Sequence, residues 1–315
     1  MAEAEDDWSF TTQARQKYLQ AGRIAAKARD HGASLVREGT SLLAVAEAVE
    51  ALIVKEGGQP AFPCCLSVND VAAHFTPGIG TTRVFNDGDV VKVDVGVHVD
   101  GYVADTARTV VVGDDPGGGG RRVAEAAHCA LQAALPLVEV GRPIEDLAQA
   151  IHRTLFERGV RPVTNLMGHS ILRWNLHAPP NIPSHAGLAE GNLAPGQVIA
   201  VEPFATTGSG EIIESGPGHI YKFVRRAGVR TSTGRAALDY ISRHHRTFPF
   251  SERWLVGEVG RADEVKRAVA DLCRAGALMH YGALRDPHGA LVGQFEHTVL
   301  VTDEGGVVTT LPQPI

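Results

Sequence analysis

Cysteine is scarce in this sequence. There are four in 315 residues, Cys64, Cys65, Cys129 and Cys273, with no Cys-x-x-Cys spacing. That argues against a disulfide framework or a cysteine-rich zinc module, and a bridge between vicinal Cys64 and Cys65 would be strained. Reduced thiols in a cytoplasm are the expectation. No run approaches the roughly 18 consecutive apolar residues of a membrane span, so no membrane partner is expected. Met1–Asp7 is acidic and lacks the basic and apolar regions of a signal peptide. A basic excess is missing too: a net charge of −6 and a pI near 6.2 exclude a generally basic nucleic-acid binder. Apolar material is plentiful, at 44% of the residues. It is enough for a full core in one large or two modest domains.

The densest chemical signal lies between Asp89 and Val112. Two runs of β-branched residues flank Asp100-Gly101, the strongest short hairpin signal. A two-residue turn there pairs Val99 with Tyr102, setting Asp94 opposite Ala107 and Asp105 opposite Gly96. The two carboxylates then share one face as diagonal neighbours, roughly 7–8 Å apart at the backbone. Val and Ala fill the adjacent positions, so the face reads as buried rather than solvated. Two carboxylates on such a face repel each other and lose hydration unless cations sit between them.

An internal repeat organises the rest. Val36–Val49 resembles Val138–Ile151 at an offset of 102, which continues through Ile53 with Leu155, Gly57 with Gly159, and Pro60 with Pro162. Each copy is an apolar turn followed by an amphipathic helix that stops at glycine. Asp87–Asp94 resembles Pro195–Glu202 at an offset of 108, and a third echo joins the segment from Asp105 to the segment from Glu296. The pattern predicts duplicated α/β half-domains, with helices outside a curved, mainly antiparallel sheet. Helices are expected near 11–32, 41–57, 121–138 and 143–159. The symmetry brings Asp94, Asp105, Glu202 and Glu296 towards one central site.

Residues 208–285 have no counterpart in the first half and read as an insert, with helices near 233–245 and 262–276. Residues 221–276 hold twelve Lys or Arg against six Asp or Glu, a local charge of +6 that leaves the remainder at −12. Solvated helix faces are the simplest reading of that charge. A transient contact with RNA or a ribosome is the sharper one.

Four carboxylates alone suit Mg²⁺, Ca²⁺ or Mn²⁺, and a histidine shifts the preference towards Mn, Fe, Co or Zn. Among fourteen histidines, His169 stands out in Gly168-His169-Ser170-Ile171, with His177 eight residues on and His74 before Phe75-Thr76-Pro77.

These segments occur in an order that resembles a known family. Ala61-Phe62-Pro63, Ser67-Val68-Asn69, Ala73-His74-Phe75-Thr76-Pro77, the Asp94/Asp105 hairpin, Gly168–Ile171, Leu176-His177-Ala178, Val201–Thr206 and Phe295-Glu296-His297 are together similar to a type II methionine aminopeptidase. The match runs over nearly the whole chain and resembles the archaeal or bacterial form. The resemblance implies a single α/β domain of the pseudo-twofold pita-bread fold over 1–315, with a helical insert at about 208–285. It implies two divalent metal ions (Co, Mn, Fe or Zn). Asp94 would hold one, His169 and Glu202 the other, and Asp105 and Glu296 would bridge both. It implies Glu202 as proton carrier, His74 and His177 as substrate-facing groups, and Phe62, Leu176 and Phe204 as walls of a methionine pocket. The implied activity is removal of initiator methionine from peptides and nascent chains ahead of a small second residue, by a cytoplasmic monomer. An Xaa-Pro aminopeptidase or prolidase of the same fold is the nearest rival, and a non-catalytic RNA- or protein-binding relative the alternative from another class. The chain departs from the family pattern at Phe75, Trp174 and the run Ala178–His185, none of which removes a ligand.

Overall fold

The computed structural model describes residues 11–311 of the chain; the acidic segment Met1–Asp7 lies outside them. Helix α1 (Thr12–Leu35) starts where the Thr11 hydroxyl accepts the Ala14 N–H at 3.1 Å. It presents Ala21, Ala25 and Ala28, all fully buried, to the hairpin strands, and these small side chains let helix and sheet approach closely. Helix α2 (Leu42–Lys55), capped by Ser41, packs beside it. In the second half, α3 (Gly119–Ala134) packs on α4 (Ile144–Glu157). The α3 pattern predicts a helix to residue 138. The α-helix stops earlier, because Pro136 has no N–H to donate, and Leu135–Leu137 tightens into a 3₁₀ turn. Gly57 and Gly159, equivalent in the repeat, both end their helices in left-handed backbone with φ of 85° and 67°, which glycine adopts at no steric cost.

The strands pair antiparallel, in four hydrogen-bonded groups. The first holds the hairpin, Val90–Val99 with Tyr102–Val111, flanked by Cys65–Val68 and Gln59–Pro60. Its register is the one the Asp-Gly turn predicts: Val99 faces Tyr102, Asp94 faces Ala107, and Gly96 faces Asp105. The second group runs Gly305–Val308, His297–Thr302, Val198–Val201, Met167–Leu172 and Asn175–Pro183. Two three-stranded groups complete the inner layer, one of them pairing Ile213–Phe223 with Leu278–Arg285 and that strand with Val71–Ala73. Between those two long strands lie α5 (Ser232–His244), a 3₁₀ turn at Glu252–Leu255, and α6 (Ala262–Arg274). They close over their own apolar cluster, which includes Ile241, Phe250, Leu255, Val265 and Leu272.

Separate apolar clusters underlie the two halves. Leu42, Val45, Val49 and Ile53 face Val91, Val93, Val95 and Val97 in the first. Leu131, Leu147, Ile151 and Leu155 face Ile199, Val201 and Val299 in the second. Each such side chain contributes about 1.5–3 kcal/mol on burial. Together they hold the two sheets rigid where their acidic residues meet. Among the described residues, no helix is long and apolar enough to cross a membrane, and all four cysteines are free.

Candidate metal centre and its cavity

The two halves meet at a seam between the second hairpin strand and the segment around Glu296. The Glu296 N–H donates to the Ala107 carbonyl at 3.0 Å. Thr298 Oγ1 accepts the Asp105 N–H at 2.7 Å and donates to the Asp105 carbonyl at 2.8 Å. Thr106 Oγ1 donates to the Glu296 carbonyl at 2.8 Å, and Thr109 Oγ1 to the Gln294 carbonyl at 2.8 Å. The third sequence echo therefore falls on the seam. Threonine hydroxyls there fix the backbones of Asp105 and Glu296 to each other.

Glu202 follows the strand ending at Val201, which pairs with His297, so Glu202 and Glu296 come side by side. His169 sits one strand over, paired with Ala200. The ligand atoms of Asp105, His169 and Glu296 lie within 4.8 Å of one another, and all three residues are buried. His169 Nε2 is 3.6 Å from Glu202 Oε1 and 3.8 Å from Asp105 Oδ2. Its Nδ1 is 3.2 Å from the Ser170 carbonyl. That contact places the ring proton on Nδ1 and turns the Nε2 lone pair to the carboxylates.

The electrostatics of this cluster are unfavourable without cations. Burial, then mutual repulsion, lifts Asp105, Glu202 and Glu296 well above the usual carboxylate range, and burial lifts Asp94 to about 7. Burial draws His169 down to about 3, so it is neutral and free to coordinate. Asp94 Oδ1, Asp105 Oδ1 and Glu296 Oε1 are buried with no hydrogen-bond partner. Buried polar atoms are normally paired, and the residues carrying these oxygens line one cavity. A divalent ion would satisfy them, and a set of oxygens with one imidazole fits Mn, Fe, Co or Zn.

The acids floor a cavity of about 450 Å³. Phe62, Leu176, Phe204, Ile220 and Leu284 form its apolar part, and His74 and His177 line it as well. Every residue singled out from the sequence thus reaches one chamber. Gly96 is part of the reason. A Cβ there would lie 2.1 Å from Phe62 Cε1, so the residue opposite Asp105 must be glycine for the ring to enter. The His177 ring stands edge-on to His169 with centroids 4.4 Å apart. Burial lowers the pKa of both His74 and His177, which leaves neutral imidazoles with an N–H to donate.

Gln294 escaped the sequence reading. Its Nε2 donates to Glu202 Oε2 at 3.2 Å and Glu296 Oε2 at 3.4 Å, holding both side chains. The signal was available, since Gln294 precedes Glu296 by two residues, the spacing that returns to the same face of an extended chain. Tyr281 is a second omission. It packs edge-on against His74 at 5.4 Å and nothing in its local sequence announces it.

With this geometry in place, comparison with known proteins identifies the class. Residues 16–303 match the model of metallopeptidase family M24. Over 298 residues the chain is 45% identical to the methionine aminopeptidase of Pyrococcus horikoshii, covering 93% of this chain and 98% of that relative. Solved structures agree on the fold alone. A thermophilic Arx1 superposes with a TM-score of 0.82 at 17% identity, covering 98% of this chain and 93% of that one. The methionine aminopeptidase of Rickettsia prowazekii superposes at 0.69 and 22%, covering 96% and 98%. The chain belongs to metallopeptidase family M24, and within it to the methionine aminopeptidases of type II. Its fold is the pita-bread α/β fold, and the family works with divalent metal.

Proposed function

We propose that this enzyme removes the N-terminal methionine of peptides and nascent proteins by hydrolysis with two divalent ions, favouring a small second residue. One observation carries the reading: the acids, the imidazoles and the apolar side chains line a single cavity, in a chain 45% identical to a methionine aminopeptidase.

In this reading Asp94 would hold one ion, His169 and Glu202 would hold the other, and Asp105 and Glu296 would be shared between them. Ions held there supply activation of water and polarisation of the scissile carbonyl. The remaining work falls to side chains. Glu202 would take the proton from the attacking water and pass it to the leaving nitrogen. His177 and His74 donate N–H groups to the developing oxyanion and the scissile amide. Phe62, Leu176 and Phe204 receive the methionine side chain and exclude charged ones, because an unpaired charge in an apolar wall is strongly penalised.

The enzyme works as a cytoplasmic monomer of one domain over 1–315, with an insert at about 208–285. The insert, with its net charge of +6 over residues 221–276, is the part of the chain that makes a transient ribosome contact. The experiment is metal-reconstituted protein offered Met-Ala-, Met-Val-, Met-Lys- and Xaa-Pro-peptides, with product masses read out. Release of free methionine from Met-Ala- and Met-Val-peptides supports the reading. Cleavage confined to Xaa-Pro-peptides would replace it with the prolidase-type activity.

A further inference from the structure

A buried ion pair with no part in the chemistry above ties the helical segment to His74. Glu50, 8% exposed on α2, meets the Arg253 guanidinium of the Glu252–Leu255 turn through both of its oxygens. Trp254 Nε1 donates to Glu50 Oε2 at 2.8 Å, and the Cys64 N–H donates to Glu50 Oε1 at 3.0 Å. The guanidinium then reaches the segment just after His74. Arg253 Nε donates to the Pro77 carbonyl at 3.1 Å and Nη2 to Thr76 Oγ1 at 3.2 Å. Thr76 Oγ1 in turn donates to the Cys64 carbonyl at 2.8 Å. One charge pair thus joins α2, the wall segment at Cys64, the loop after His74 and the 3₁₀ turn.

The backbone of His74 needs such a clamp. Its φ is +59°, a left-handed conformation that costs a residue with a side chain on the order of 1–2 kcal/mol and persists only where the surroundings impose it. Two backbone bonds help: the Leu66 N–H to the Phe75 carbonyl at 2.8 Å, and the Thr76 N–H to the Gly218 carbonyl at 3.1 Å. Both hold the chain from the sheet side. Arg253, from the 3₁₀ turn, adds bonds to Thr76 and Pro77 of the same segment, and its planar fork serves Glu50, Thr76 and Pro77 at once.

We propose that Glu50 and Arg253 are positioning residues for His74, and that the turn carrying Arg253 sets the angle at which this imidazole meets the substrate. The inference rests on the reading of His74 as a substrate-facing group. Removing the pair lets the His74 backbone relax, and a displacement of about 1 Å at a reacting group can cost on the order of 100-fold in rate.

The test is a double-mutant cycle on the metal-loaded enzyme with a Met-Ala-peptide. Wild-type turnover comes first, and its absence would refute the proposed activity rather than this inference. Given turnover, Glu50→Gln should lower kcat about tenfold or more while KM and bound metal stay near wild type. In a His74→Ala background the same substitution should cost less than about twofold, because the group it positions is gone. Arg253→Lys should behave like Glu50→Gln. Thr76→Val deletes only the hydroxyl of the clamp and carries the same cycle should the charge variants not fold. Equal fold-losses in both backgrounds, a loss confined to KM, or loss of metal would each overturn the assignment.

Discussion

Metal affinity should rise steeply with pH, because protons and cations compete for the same oxygens. In the metal-free protein Asp94 is raised to about 7, and Asp105, Glu202 and Glu296 well above the ordinary range, by burial and by one another. Near neutral pH the site therefore holds protons that an entering ion must displace. His169 goes the other way: lowered to about 3, it is already neutral and releases none. Each proton displaced makes the apparent affinity about tenfold tighter per pH unit, equivalent to about 1.4 kcal/mol. The contribution of Asp94 fades above pH 7, where it is ionised without metal, and the raised affinity of the other three acids for protons acts in the same direction. Displacing the Asp94 proton alone should lower the dissociation constant about tenfold between pH 6 and pH 8. Lys92, lowered to about 7 by burial, also titrates in this interval. Its ammonium donates to the Asn69 carbonyl and is not assigned to the ions. Isothermal titration with Mn²⁺ or Co²⁺, in buffers of different ionisation enthalpy, counts the protons directly. A dissociation constant unchanged within threefold, or proton uptake on binding, would refute the argument.

Four further outcomes follow from the same geometry. Asp105→Ala and Glu296→Ala should each reduce turnover to background even at saturating metal, since each leaves cations under-neutralised; near-wild-type kcat in either would contradict the two-ion assignment. His177→Ala should lower kcat by roughly 10²–10³, the scale of one lost oxyanion donor, with metal content retained, whereas His169→Ala should lose metal; metal analysis alongside kcat separates the two. Gly96→Ala should drive Phe62 out of position, raising KM for methionyl peptides and costing about 1–3 kcal/mol of stability by overpacking, as read by denaturant titration. Gln294→Ala should weaken metal binding about 10–100-fold, the usual cost of losing a group that orients ligands; unchanged affinity would mean that Glu202 and Glu296 hold their positions unaided.

Much of this architecture could be read from the sequence, because its signals are local. The Asp100-Gly101 turn fixes the hairpin register, and the register alone places Asp94 and Asp105 on one face. Helices α2 and α4 are legible from their apolar period and from the glycines that stop them, Gly57 and Gly159. The repeat made the meeting of Asp105 with Glu296 legible, although no local pattern joins residues so distant. What stayed hidden depends on tertiary approach. Glu50 and Arg253 are 203 positions apart, and neither sits in a pattern that names its partner. The left-handed backbone of His74 lies beside the backbone bonds of Phe75 and Thr76 and is not announced by its own residue type. Tyr281 reaches His74 only because Leu278–Arg285 pairs with both Ile213–Phe223 and Val71–Ala73.

The central claim is that Asp94, Asp105, His169, Glu202 and Glu296 together hold two catalytic ions. Diffraction data collected at the absorption edge of Mn or Co, from crystals of the loaded enzyme, test it most directly. The account predicts two anomalous peaks roughly 3.5–4 Å apart, the usual spacing of two-metal sites, with Asp105 and Glu296 touching both, Asp94 only one, and His169 with Glu202 only the other. A single peak at full activity, or peaks that bypass Asp105 and Glu296, would contradict it.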